Sequence, residues 1–278
     1  MKIIAYSFFH ILLSTSYSIH AQIVHSGIQA QSMGGQQVLV RDGAATIFLN
    51  PALLVEQANW AFYFSRYNPY AIKNLSVNSL AVSHNVRKHA AGLGYLQFGN
   101  GLYTEKFLFA AAGLTVRYNI KIGLKYKMRH VEIQKFGTTS ASYFDFGIVL
   151  PVAPFLEAGL LVNNIISSSN AHSTDRLKKN VLTALRLQIH PGHSLLLEIS
   201  QRHSYKTSIV VGLKTSPIEG LNLQFGMGLR EPAQKALGVE LLSHKLTLSY
   251  ALASHFSLQH THIFALKIRL QNKTDSKK

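Results

Sequence analysis

The sequence predicts an all-β fold, a transmembrane antiparallel β-barrel of about fourteen strands, and three observations carry that reading. Residues 120–133 alternate, with Ile122, Leu124, Tyr126 and Met128 on one parity and Lys121, Lys125, Lys127 and Arg129 on the other. Successive side chains of a strand point to opposite faces, so this segment has one apolar and one cationic face. The same alternation recurs to the C-terminus in segments of about ten residues, the unit of a barrel with an apolar exterior and a polar lumen. Finally, residues 1–21 read as an export signal: Lys2 is a minimal positive region, an apolar run follows to Leu13, and Ala21 precedes the cleavage point. The alternative, a membrane anchor helix, is disfavoured because Ser14, Thr15, Ser16 and Ser18 interrupt the run before a span is complete.

Composition narrows the class. A hydrophobic content of 47% with 14% charged residues argues against disorder. The absence of cysteine excludes a disulfide framework and a thiolate metal site. The net charge of +16 admits nucleic acid, anionic lipid or an anion-filled lumen. An export signal argues against nucleic acid, as does the scatter of basic residues across the strands. A soluble β-sandwich with one wet face is the competing fold, and it fits poorly with so many long two-faced strands.

The chain divides into the signal at 1–21, an N-terminal hatch or plug at 22–59, the barrel at 60–270 and a polar tail at 271–278. The hatch lacks period-two patterning and carries the turn signals Gly34-Gly35, Asp42-Gly43 and Asn50-Pro51. Asn50 is placed to cap a short helical turn through Ala52 and Leu54, with Pro51 at its start. Strands are expected near 60–67, 75–84, 89–99, 106–118, 120–133, 141–150, 155–163, 180–190, 193–203, 207–215, 221–229, 236–242, 245–252 and 262–270. Twelve is the other admissible count. Leu221, Leu223, Phe225, Met227 and Leu229 alternate with Asn222, Gln224, Gly226 and Gly228; the last strand sets Phe264, Leu266, Ile268 and Leu270 against Lys267 and Arg269. Connections are short except 167–179. Parity gives Leu124 to lipid, so a charge there should impair assembly far more than one at Gly123. Trp60, Tyr63, Tyr67, Tyr118 and Tyr143 are read as interfacial girdle residues.

Met33-Gly34-Gly35, followed by Asp42 to Leu54 (DGAATIFLNPALL), is the most specific string in the chain. It resembles the N-terminal region of the PorV/PorQ-type outer-membrane proteins of Bacteroidota, which are similar to the FadL fatty acid transporters. Leu246 to Tyr250 and Thr261-His262 leading into Phe264-Ala265-Leu266 look like that group's closing hairpin. The resemblance implies a fourteen-stranded outer-membrane barrel with an internal hatch, associated with type IX secretion components or cargo. The alternative is a FadL-like conduit for hydrophobic or amphipathic small molecules; a purely structural barrel is a third reading.

Chemistry beyond this is sparse. The fourteen histidines are dispersed, and His260 and His262 lack a nearby carboxylate to complete a metal site. His255-Phe256-Ser257 sets a base two residues from a hydroxyl without an acidic partner close in sequence. No enzyme activity, cofactor or metal is expected. The basic face of Arg117, Lys121, Lys125, Lys127, Arg129, Arg186, Lys267 and Arg269 is expected to point inward. It would either pair with Asp145, Glu157, Glu198 and Glu240 to hold the plug, or form a path for an anionic or amphipathic ligand in the lumen. Asp42, the sole acidic residue between 22 and 54, is expected to face Lys121, Lys125 or Arg129.

Overall fold

The computed structural model describes residues 27–169, 177–202, 207–229, 234–255 and 258–270. The export signal, residues 22–26, His203, Phe256, Ser257 and the polar tail lie outside the described residues. Fourteen strands form a closed antiparallel barrel: β1 (Trp60–Tyr67), β2 (Ser76–Val86), β3 (His89–Gly99), β4 (Tyr103–Thr115), β5 (Lys121–Ile133), β6 (Gly137–Ala153), β7 (Leu156–Ser169), β8 (Asn180–His190), β9 (His193–Arg202), β10 (Ser208–Ile218), β11 (Leu221–Gly228), β12 (Gln234–Leu242), β13 (Leu246–His255) and β14 (Thr261–Leu270). Each strand pairs with its sequence neighbours. The ring is sealed by β1 against β14, from Trp60 opposite Leu270 to Tyr67 opposite Ile263. Closure pairs both edges of every strand and leaves no free ladder.

Several boundaries move, for physical reasons. β6 and β7 run well past 141–150 and 155–163, and Ser142 still pairs with Ser168. Backbone pairing continues there although Thr and Ser have replaced the apolar positions, so the stretch from 167 begins as strand. β4 stops at Thr115, short of 118, because Tyr118 and Asn119 both take φ of 58° in the tight turn to β5. The two ends of the barrel differ. The end holding the start of β1 and the end of β14 has short hairpins such as Arg87-Lys88, whereas the opposite end carries longer connections, including 68–75 and 170–179. Outer-membrane barrels show this asymmetry between periplasmic turns and extracellular loops.

The outer wall is apolar. Phe64, Leu80, Leu93, Leu108, Leu124, Phe225, Leu237, Leu248 and Phe264 are all exposed, Leu124 by 52%. A continuous apolar belt of this kind is far beyond what a water-facing surface carries and matches a hydrocarbon surrounding. Three of the expected girdle aromatics are elsewhere. Tyr63, Tyr67 and Tyr143 are buried on the inner face, while Trp60 and Tyr118 are exposed on the outside. β1 is apolar on both faces, so its alternation could not reveal which parity turned inward.

Residues 27–59 lie within the barrel. They form helix α1 (Ile28–Ser32) and two 3-10 turns, Gly43–Phe48 and Pro51–Glu56. The helix contacts β11 to β14, the first turn β1 to β4 and β14, and the second β2 to β6. Room for this segment comes from inward-facing glycines on β3 to β7 and β10 to β12. A Cβ at Gly94 would meet Phe48 at 2.9 Å, at Gly113 the Pro51 carbonyl at 2.8 Å, and at Gly159 Val38 at 2.6 Å. Gly123 lies directly against the backbone of Pro51 and Ala52. Gly123 thus faces inward, as its parity requires, but it has no space for any side chain.

Candidate functional site

The internal segment owes its shape to residues that spacing had marked. Gly34 and Gly35 take φ of 75° and 90° and end α1. Their amides donate to the Gln31 carbonyl (3.3 Å) and the Ala30 carbonyl (2.7 Å), the crossed pair of bonds that closes a helix on a left-handed residue. Asn50 is fully buried; its Oδ1 accepts from the Ala52 amide (3.1 Å), and its Nδ2 donates to the Val38 carbonyl (2.8 Å). It therefore caps the turn that Pro51 opens and ties it to the preceding strand of chain.

Three polar clusters stitch the segment to the wall. In the first, Lys267 of β14 pairs with both Asp42 and Glu240 of β12. Asp42 Oδ2 also accepts from the Gln29 amide (2.9 Å), and Gln29 Nε2 donates to Glu240 (2.8 Å). The partner of Asp42 is thus Lys267, not Lys121, Lys125 or Arg129. Burial pushes the Asp42 carboxyl above its usual value; Lys267 opposes that push and Glu240 adds to it.

In the second cluster, Arg41 pairs with Glu56 and, at 2.8 Å, with Glu157 of β7. Lys121 of β5 pairs with Glu56, and Arg186 of β8 reaches Glu157 at 3.3 Å. Burial raises the Glu56 carboxyl, but Arg41 and Lys121 outweigh it and hold the group below its usual value. In the third, Lys125 donates to the Leu49 carbonyl (2.8 Å) and shares Asp145 of β6 with Lys127, each at 3.2 Å. Asp145 also accepts from the Asn164 amide (2.7 Å), at an irregularity of the β6–β7 pairing where Asn164 has φ of 59°.

The basic face therefore divides. Lys121, Lys125 and Lys267 reach the internal segment, whereas Lys127, Arg129 and Arg186 pair with carboxylates of the wall, Arg129 with Glu105 of β4. Arg269 is half-buried at the end of β14, 3.5 Å from Thr247. Arg117 does not point inward: it is exposed in the β4–β5 turn and lies over the Tyr118 ring at 4.8 Å. Glu198 of β9 has a different use from the expected ion pair. Its Oε2 accepts the amides of Gln37 (2.7 Å) and Val38 (2.8 Å).

Sequence reasoning missed an apolar sector of the lumen. Tyr63, Leu96, Phe107 and Phe109 are buried on the inner faces of β1, β3 and β4. Phe48 of the internal segment packs edge-on against Phe109 (5.1 Å between centroids) and Tyr63 (6.3 Å). The only signal available was the two-faced apolar character of β1 to β4. Among the described residues no cluster of three metal-ligating side chains occurs.

No family model matches the sequence. No curated protein matches it either. Solved structures do. The toluene transporter TodX of P. putida superposes with a TM-score of 0.70 at 10% identity, covering 90% of this chain and 100% of that one. The toluene transporter TbuX of Ralstonia pickettii gives 0.66 at 11% identity, covering 88% and 98%. The monoaromatic hydrocarbon channel CymD gives 0.63 at 11% identity, with the same coverages. At these identities the likeness establishes a shared fold.

Proposed function

We propose that this chain is an outer-membrane conduit for hydrophobic or amphipathic small molecules, with residues 22–59 acting as a hatch within the barrel. One observation carries the reading: the lumen has an apolar, aromatic sector, formed by Tyr63, Leu96, Phe107 and Phe109 and closed by Phe48 of the hatch. An apolar solute can leave water for such a surface, whereas an ion path needs unpaired charge or dipoles along its length. The described wall cations from Lys121 to Lys267 on the basic face have carboxylate partners, and Lys121, Lys125 and Lys267 also reach the hatch, so that face is committed to internal pairing. The fold shared with hydrocarbon transporters supports this reading. Export through the inner membrane by the N-terminal signal, and outer-membrane lipid as surrounding partner, belong to the same proposal.

The test compares entry of toluene and of a small sugar into cells with and without the gene. A loss confined to toluene supports the conduit, and restoration should fail with a Phe48→Asp variant that still assembles. Equal toluene entry in both strains overturns it. A second reading, association with type IX secretion, rests on the resemblance of the 33–54 string to PorV/PorQ. Comparing surface and secreted proteins of the same two strains decides it: unchanged cargo rejects that role.

A further inference from the structure

The outer wall is not uniform where β2 to β5 meet the short-turn end. Register places two outward rows side by side across these strands. The row nearer the turns runs from Trp60 through His84, Ala91 and Ala112 to Leu124; the next runs from Val82 through Leu93 and Ala110 to Tyr126. Alanines at the centre of both rows, between larger residues, sink the surface into an open groove of about 490 Å³. Trp60, stacked on His84 at 4.2 Å, forms one side, and Tyr126 with Phe144 the other. This lies within the ~300–1,000 Å³ typical of small-molecule sites.

Cations stand in the turns beyond the groove's Ala91–Ala112 row. Arg87 and Lys88 form the β2–β3 turn, and Arg117 the β4–β5 turn beside it, the Thr115 amide donating to the Lys88 carbonyl at 2.8 Å. All three are exposed, and neither turn contains an acidic residue. Ala91 lies three residues from Lys88 and Ala112 five from Arg117, which is on the order of 10 to 16 Å of strand. An apolar groove with three cations beyond one end has the polarity of a lipid with an anionic head.

We propose that this groove is a specific site for one anionic phospholipid, its phosphate held by Arg87, Lys88 and Arg117 and one acyl chain laid over Ala91, Ala110 and Ala112. The short turns assign the site to the leaflet facing the periplasm. Each cation near an anionic headgroup strengthens the contact about fivefold, so three produce a preference well beyond that of the bulk bilayer. Function as a conduit is not required; a bilayer surrounding is.

Trp60 is the chain's single tryptophan and borders the groove, which makes its fluorescence a direct reporter. The full protein is reconstituted in phosphatidylcholine vesicles containing a small fraction of either brominated phosphatidylglycerol or brominated phosphatidylcholine. The expected result is that phosphatidylglycerol quenches Trp60 with an apparent relative affinity on the order of a hundredfold higher, about fivefold for each of the three cations. R87Q/K88Q/R117Q should erase that difference while leaving quenching by phosphatidylcholine unchanged. Ala110→Leu, which fills the groove, should reduce quenching by both lipids. Strand content by circular dichroism identifies variants that have failed to fold, and K73Q/K135Q/K235Q, which removes three charges at the opposite end of the barrel, serves as the control for net charge. Equal quenching by the two lipids in the unmodified protein overturns the proposal. So does a preference that survives R87Q/K88Q/R117Q or is lost equally in K73Q/K135Q/K235Q.

Discussion

Lys267 holds two carboxylates at once, Asp42 from the hatch and Glu240 from β12, and this sharing ranks the substitutions around it. Asp42→Asn keeps an acceptor for the Gln29 amide and leaves Lys267 paired with Glu240, so the loss should be roughly 1–2 kcal/mol. Lys267→Met strands two buried carboxylates without a cation and should cost about 3–5 kcal/mol. Protease protection of residues 27–59 and conductance in a planar bilayer should follow that order; the reverse order would show that Lys267 does not anchor the hatch. Glu56 adds a pH dependence. Its carboxyl sits below its usual value, so its contribution is complete above the unfolded value of about 4.3 and disappears as pH falls through the lower folded value. Amide exchange around Val55 and Glu56 should accelerate on acidification below about pH 4. Glu56→Gln should be loose at neutral pH and nearly flat across that range. Glu240 was readable as a partner of the basic face, but the pairing of Asp42 with Lys267 and the use of Arg41 and Glu56 were not. Asp42 and Lys267 are brought together only by barrel closure, and one cation of the right sign looks like another on a list of inward positions.

At the scale of the strand, alternation revealed what is paired but not always which side faces in. β5 was legible because four cations share one parity, and a charge cannot sit in lipid without a penalty. β1 was not, since Trp60, Ala61, Phe62, Tyr63 and Phe64 offer apolar groups to both faces. The glycines were the other blind spot. Gly159 and Gly226 were visible on the polar parity, yet their purpose, contact with Val38 and Met33 of the hatch, exists only in three dimensions. Paired substitutions in β5 separate the two faces. Leu124→Arg places a charge on the outer wall, with a penalty of about 2–4 kcal/mol at the midplane and less toward the interface, and should lower the yield of assembled barrel. Gly123→Leu should leave the strands paired but push Pro51 and Ala52 away, an overpacking penalty of about 1–3 kcal/mol borne by the hatch. Heat-modifiable mobility on gels reads the first effect and conductance the second; unchanged conductance in a folded Gly123→Leu barrel would disprove the tight seat.

The molecule as a whole combines a wall that is complete without its contents and contents that cannot hold their shape without the wall. Every strand from β1 to β14 is paired on both edges by other strands, and residues 27–59 supply none of those ladders. All three charged clusters keep partners within the wall if the hatch leaves: Lys125 and Lys127 retain Asp145, Lys267 retains Glu240, and Lys121 and Arg186 retain Glu157. The hatch, by contrast, has one five-residue helix and two 3-10 turns, far below the length at which helices persist alone. Deleting residues 27–59 should therefore yield a barrel that still folds in detergent micelles and retains its strand signal by circular dichroism. Glu198 would lose the Gln37 and Val38 amides and face water entering the lumen. Conductance in a planar bilayer should rise from near silence to a steady open level, and the proposed preference for toluene over a small sugar should vanish with the loss of Phe48 against Phe109. A deleted form that aggregates without strand signal would show instead that the internal segment is part of the folding core, and the picture of a separable hatch would have to be abandoned.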